Sequence, residues 1–486
     1  MGRSWKRRAA SFASAVLAAL LVFAECSAYV SADQSGTASQ TQSAAESAAA
    51  DPSVVTSNAI TGWPQGADVV SKCACLMDAD TGAVLYSKGM NDQMYPASVT
   101  KIMTCLLALE NGKLTDQVTM TQTGVAYVAQ GSSNLSTQVG EVFTLEQMLY
   151  GMMLKSANDM ATQVGEYIGG GSLDTFLRMM NDRAAAIGCT HTHFANACGM
   201  PDANHYTSAY DLALISQEAL KNADFRTIVN TATYTIPATN LTAAPRSLTS
   251  HDPLLVSPDF YYPGIIGGKT GYTDLALNTL ASFASRDGMT LIAVTLYAAD
   301  GTASAKDNVS LLDYGFDHFQ KTAVGKAEYN TEGGYITIPK GCSADDCDVR
   351  EETSKDAGLG DILTCTYAFG GQVVVGKYVM TQANAKKYAE ELAASKAAAE
   401  SKAAADSKAA AASRAAASKA AAESAKASGT ANSGQGAAAQ SAGTQTGGIA
   451  GISGPAAVAI AVLSVFVLAG LVLVIAGIMK KRGRHS

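Results

Sequence analysis

Strand-like alternation appears in this chain at two places far apart, and that separation limits the folds open to it. VVSKCACLMDADTGAVLYSKG, starting at Val69, reads as two short strands joined at Asp78–Gly82, where D-x-D-T-G supplies turn chemistry. GIIGGKTGYTDLALNTLASFA and GMTLIAVTLYAA read as strands again from Gly264 onward. Between them the spacing is helical. FTLEQMLYGMMLKSANDMATQVGEYIGGG gives two segments meeting around LKSAN. SLDTFLRMMNDRAAAIG repeats Leu173, Phe176, Met179 and Met180 on one face, and SAYDLALISQEALKN adds another helix with Thr207 or Ser208 as its cap. Strands, a helical block, then strands again predict one sheet assembled from both ends of a domain with helices packed on it.

The flanks differ in kind. Residues 1–32 combine Arg3, Lys6, Arg7 and Arg8 with an apolar run and small residues, the pattern of a secretory signal peptide. Residues 33–61 are a polar, small-residue spacer. The folded domain is expected over 62–320. Residues 321–384 read as a small β-rich domain (GGYITIPKG, DILTCTYAF, GQVVVGKYVM). Residues 385–450 form an Ala/Ser/Lys-rich stalk and flexible linker, helix-prone but without an apolar stripe. Residues 451–479 are uncharged and apolar from Pro455 to Met479, long enough for the roughly 20 residues a transmembrane helix needs. A basic tail, 480–486, follows and orients that span with the bulk of the chain on the outer face of the cell membrane. The formal net charge of −7 over 486 residues provides no basic field for nucleic acid.

Eight of the nine cysteines lie beyond the leader. In an exported chain they permit disulfides, with Cys189–Cys198 and Cys342–Cys347 the pairs suggested. Cys73 and Cys75 share one face of a strand and are not expected to bond to each other. His191 and His193 (HTHF) are the only histidine cluster, and a surface strand or turn explains them better than a zinc site.

YPASVTK places Ser98 and Lys101 at i and i+3 where a helix begins. Alone, the pair fits a helix cap beside a solvated lysine better than it fits a nucleophile with its base; an amine can take the serine proton if burial lowers its pKa. LKSANDM sets Ser156 and Asn158 two apart in a helix-to-helix passage, where a hydroxyl and an amide can project into a cleft or simply cap helices. GGKTGYT puts Lys269 and Gly271 on one face of a strand, with a lysine able to meet a carboxylate and a glycine able to admit a ligand. Met152, Met153 and Met160 read as core, and Asp159 as a locally paired helix charge.

S-x-x-K, S-x-N and K-T-G in this order, with MDADTGAVLYSKGMNDQMYPASVTKIMT and THTHFANACGMPDANHYTSAYDLA, resemble the D-alanyl-D-alanine carboxypeptidases, low-molecular-mass penicillin-binding proteins. The resemblance runs from about Ala67 to beyond His318. It implies an α/β fold of the serine β-lactamase/transpeptidase-like type: an antiparallel sheet with packed helices and a helical subdomain, then a small all-β domain and a C-terminal transmembrane helix. It implies Ser98 as acylated nucleophile, Lys101 as general base and Ser156 as proton relay. Asn158, Lys269, Thr270 and Gly271 would bind substrate, and the backbone N–H groups of Ser98 and Tyr272 would form the oxyanion hole. The implied substrates are peptidoglycan stem peptides ending in D-Ala-D-Ala, with β-lactams as covalent inhibitors and no metal or cofactor. Two departures stand out: Leu277 follows Ala276 where the family has a glycine, and Tyr210 precedes Asp211 where a basic residue is common.

Overall fold

The computed structural model describes residues 60–126 and 132–428. Its first sheet joins the two distant groups of strands. β1 (Cys73–Asp78) and β2 (Val84–Lys88) come from the early stretch. Two short pairing strands, β3 (Gln117–Thr119) with β4 (Val142–Thr144), and β5 (Thr233–Ile236) with β6 (Arg246–Thr249), interrupt the helical block. β7 (Ile265–Thr273), β8 (Leu277–Arg286) and β9 (Met289–Ala298) complete the sheet in the order β2-β1-β9-β8-β7. All its pairings are antiparallel. β1 is buried along its whole length, because both sheet faces are covered. Cys73, Cys75 and Met77 enter one core and Ala74 and Leu76 the other, as the strand period of two requires.

The helical block lies on the Cys73 face. α1 (Lys101–Asn111) is its centre and is buried all round from Lys101 to Ala108, which suits a segment reading KIMTCLLA. α2 (Gln122–Val125), α3 (Leu145–Leu154), α4 (Asn158–Ile168) and α5 (Leu173–Ile187) surround it, and Met152, Met153 and Met160 are core. α3 starts with a capping box from Thr144 and Gln147; α5 starts at Ser172 and stops at left-handed Gly188. α6 (Ala209–Leu220) is capped by Ser208, α7 (Ala223–Val229) by Asn222 and the short α8 (Pro253–Val256) by Asp252. α9 (Gly301–His318) covers the opposite sheet face and extends further toward its N-terminus than the SLLDYGFDHFQ pattern alone suggests.

A second antiparallel sheet, ordered β10-β11-β14-β13-β12, forms the small all-β part. Its strands are β10 (Phe319–Ala323), β11 (Glu332–Pro339), β12 (Cys347–Asp356), β13 (Gly360–Phe369) and β14 (Val373–Thr381). β12 is charged and almost wholly exposed, so no alternation marks it. Trp63 fills the seam with the first sheet: its ring lies 4.9 Å from Phe319 and 5.6 Å from Phe369, and its indole N–H donates to Leu85 O. α10 (Gln382–Ser428) follows, and Glu391 near its start accepts from Lys326 and Tyr329.

Several expectations are corrected here. The leader expected at 1–32 and the membrane helix expected at 451–479 lie outside the described residues, and among the described residues no helix is long and apolar enough to cross a membrane. The longest, α10, takes its apolar content from alanine broken by lysines and acids. Over the described residues the fold class is therefore an α/β sheet-plus-helix domain with a small all-β part and no transmembrane helix, and nothing in them supports the membrane as a partner or an anchored, outer-face location. The suggested disulfides are absent too: all eight described cysteines are free thiols. Cys189 Sγ donates to Asp211 O and Cys198 Sγ to Asn196 Oδ1.

Candidate active site

Ser98 does not sit on an α-helix. Ala97–Thr100 is a single 3₁₀ turn that leads into α1 at Lys101. With three residues per turn, positions i and i+3 eclipse, so Lys101 comes directly over Ser98. Neither Ser98 nor any other side chain caps this turn or α1, so the plain cap reading of Ser98 fails. The same is true of Ser156 and Asn158, since α4 is preceded by Ala157 with no side-chain cap.

Two glycines let other segments close on the Ala97–Thr100 turn. A Cβ at Gly199, itself at φ +92°, would lie 1.9 Å from Ala97 O. A Cβ at Gly271 would lie 2.8 Å from Ser98 N and 2.4 Å from Thr279 Oγ1. Thr279 Oγ1 in turn donates to Pro96 O at 3.0 Å. β7 and the loop before Met200 thus grip Ala97–Ser98 from two sides, and no larger residue fits either position.

Lys101 is fully buried, and its Nζ lies 2.9 Å from Ser98 Oγ, 2.6 Å from Asn158 Oδ1 and 2.6 Å from Cys198 O. Burial pulls its pKa down to about 8, against a small upward pull from Cys198 and Asp159. The two carbonyl oxygens can only accept. An amine that has lost one proton keeps two N–H bonds for them, and its lone pair then faces the Ser98 hydroxyl. The neighbours therefore select the direction in which a base would act.

On the facing wall Lys269 is also buried, and its Nζ donates to Ser156 Oγ at 3.1 Å and Thr270 O at 2.7 Å. Its pKa lies well below the usual lysine value, mainly through burial and then repulsion from Lys101, with Asp252 opposing. Ser156 adopts φ +57°, a left-handed conformation that a non-glycine residue holds at a cost of about 1 kcal/mol or more. Asp252 is buried, its Oδ2 without a hydrogen-bond partner, and burial lifts its pKa to about 6. Thr270 and Gly271 line a cavity of about 390 Å³ with His251, Phe260 and Thr302. Tyr272 turns its side chain outward to Asp274.

The structure brings Ser98, Lys101, Ser156, Asn158, Lys269 and Gly271 to one cleft. Asp159 lies outside the chemistry: its carboxylate accepts from Leu135 N and Thr137 Oγ1 and ties down that loop. His191 and His193 are engaged by Thr190 and Asn204 O, away from Ser98. Leu277, in a left-handed conformation, opens β8 opposite Thr273 at the end of the hairpin, and Tyr210 packs against the core. Sequence reasoning missed the floor of the cleft. Asn196 Oδ1 accepts from the backbone N–H of Cys198, Gly199 and Met200, and so aims Cys198 O at Lys101. The only local hint was asparagine three residues before glycine, ordinary turn chemistry.

A half-buried serine on a buried lysine, faced by a second buried lysine, is the arrangement of a serine acyl-transfer enzyme that uses an amine in place of histidine. The sequence profile of the D-alanyl-D-alanine carboxypeptidase family matches residues 59–300. The chain is 34% identical over 251 residues to the D-alanyl-D-alanine carboxypeptidase of Streptomyces sp. strain K15, covering 49% of this chain and 85% of that protein. It is also 34% identical over 255 residues to D-alanyl-D-alanine carboxypeptidase DacF of Bacillus subtilis, covering 51% of this chain and 63% of DacF, less than two thirds of its length. The crystal structure of the Streptomyces K15 DD-transpeptidase aligns over 52% of this chain and all of that one, with 31% identity and a TM-score of 0.49. The chain belongs to the D-alanyl-D-alanine carboxypeptidase family of serine peptidases.

Proposed function

We propose that this protein removes the terminal D-alanine from peptidoglycan stem peptides through an acyl-enzyme on Ser98. The observation that carries this reading is the buried Lys101 amine, held by Asn158 Oδ1 and Cys198 O so that its third direction meets Ser98 Oγ. In the first step Ser98 Oγ bonds to the carbonyl carbon of the scissile D-Ala-D-Ala peptide, and its proton passes to Lys101 Nζ. The carbonyl oxygen takes the negative charge, facing the backbone N–H groups of Ser98 and Tyr272. Collapse breaks the C–N bond, and the proton that Lys101 took passes by way of Ser156 to the leaving D-alanine amine, which returns Lys101 to its neutral form. Water then attacks the ester, with Lys101 as base, releasing the shortened peptide and restoring the serine.

Asn158 orients the substrate amide. Lys269 has two acceptors in place for the three N–H bonds of an ammonium, which leaves one direction for the peptide's terminal carboxylate, with Thr270 beside it. A bound carboxylate would restore the charge that burial disfavours on Lys269. β-Lactams, carrying an acyl group and a carboxylate, would trap the same serine.

The test joins two measurements: D-alanine release from a peptide ending in D-Ala-D-Ala, and mass spectrometry of the penicillin adduct. The wild type should release D-alanine and carry the adduct on Ser98, and Ser98→Ala should lose both. An adduct on another residue, or D-alanine release undiminished in the alanine variant, would overturn the reading.

A further inference from the structure

A chain of three hydrogen bonds runs through the core to the residue before the nucleophile. Ala195 N–H donates to His205 Nδ1 at 2.9 Å. His205 Nε2 lies 2.8 Å from Thr100 Oγ1, and Thr100 Oγ1 donates to Ala97 O at 2.8 Å. Only one proton arrangement satisfies all three. Nδ1 must accept from an amide, so a neutral imidazole carries its proton on Nε2 and donates it to Thr100, whose own proton goes to Ala97 O. His205, Thr100 and Ala97 are each 1% exposed, so water does not compete.

The end of that chain matters because of peptide geometry. Ala97 O and Ser98 N–H belong to the same planar trans peptide unit and point in opposite directions. Holding the oxygen therefore aims the N–H. Ala97 sits at φ +51°, a conformation disfavoured by about 1–2 kcal/mol for a residue with a Cβ. The Thr100 hydroxyl adds a side-chain anchor to a carbonyl that the 3₁₀ turn also engages, and so opposes relaxation of this peptide plane toward ordinary backbone angles. Gly199 walls the same oxygen but forms no hydrogen bond to it, so it limits the plane without directing it.

We propose that His205, acting through Thr100, is a positioning residue for the oxyanion-hole donor of Ser98; the inference rests on the reading of Ser98 as nucleophile. Burial, the leading cause, lowers the His205 pKa to about 4, which agrees with the neutral form the chain requires. His205 touches no substrate. Its effect falls on the transition state, because the donor it aims meets charge that develops only there.

The test compares the wild type with Thr100→Val, His205→Leu and His205→Gln in full-length protein, reading acylation of Ser98 by a penicillin and kcat and KM for the peptide. Thr100→Val keeps the shape and removes the relay. It should slow acylation about 10- to 100-fold and lower kcat with KM little changed. His205→Leu should match it, whereas His205→Gln, whose amide Nε2 can reach the same position, should recover acylation to within about threefold of the wild type. The proposal is overturned if folded Thr100→Val acylates at the wild-type rate, if its loss lies wholly in KM, or if His205→Gln folds yet is as slow as His205→Leu. Should His205→Leu not fold, Thr100→Val decides alone. Failure of the wild type to be labelled on Ser98 would instead overturn the functional reading beneath.

Discussion

On the helical wall of the cleft, Lys101 meets groups fixed by three separate segments: the 3₁₀ turn, α4 and the loop at Cys198. On the sheet wall, Lys269 meets a serine hydroxyl and its own neighbour's carbonyl, with Asp252 close enough to bias its charge. Both lysines are buried and both lose basicity by burial, yet the surroundings suit different states. Two acceptor-only carbonyls and a hydroxyl suit a neutral amine that takes a proton. Two acceptors and an acid suit an ammonium that waits for an anion. Burial alone does not assign a role to a lysine; the count and type of its neighbours do.

Substitutions on the two walls should separate these roles. Lys101→Met should have the largest effect, lowering kcat for D-alanine release by about 10²–10⁴ with KM little changed, as for loss of a general base. A variant that kept kcat and raised KM would make the two lysines equivalent and break the comparison. Gly271→Ala comes next: its Cβ would meet Ser98 N at 2.8 Å and Thr279 Oγ1 at 2.4 Å, pushing β7 off the nucleophile turn. Roughly a 100-fold loss in kcat/KM is expected for a displacement of that size, read by steady-state kinetics. Lys269→Met should raise KM roughly 10- to 100-fold, the loss of a charged hydrogen bond to the substrate carboxylate. A neutral C-terminal amide substrate should show little difference between it and the wild type.

The smaller effects are in pH. If Lys101 is the base as proposed, acylation draws on its neutral amine, and the rate should rise about tenfold per pH unit at acidic to neutral pH and level off above about 8. His205 supplies a matching stability signature. Its folded pKa, about 4, lies below the ordinary value near 6.5, so the unfolded chain binds the extra proton between those values. Stability therefore rises with pH across that window and is lost as pH falls through it, by roughly 3 kcal/mol in all. Asp252, lifted to about 6, acts in the opposite sense over an overlapping range. The comparison to make is thus denaturant unfolding of the wild type against His205→Gln at pH 4.5 and 6.5, on the order of 2 kcal/mol apart in their pH dependence.

The residues that the three short motifs contain were legible because the chemistry is local in sequence. Ser98 and Lys101 are one tight turn apart, and Lys269 and Gly271 share a face by the strand period. That Cys73 and Cys75 share one face of β1 was legible for the same reason. β12 was not, because a charged strand exposed on both faces has no alternation to read. The floor of the cleft was not legible either: Cys198 O reaches Lys101 across 97 residues and His205 reaches Thr100 across 105, and a carbonyl oxygen has no residue type to betray it.

What the sequence determined by itself is the set of reactive groups and the order in which the chain presents them, because side-chain chemistry and backbone period are written residue by residue. The tertiary structure decided which lysine lies against Ser98 between two carbonyl acceptors, which way the Ser98 peptide points and how closely β7 approaches it. Those depend on desolvation, on backbone carbonyls and on the absence of a Cβ at Gly199 and Gly271, and such properties exist only once distant segments have packed together.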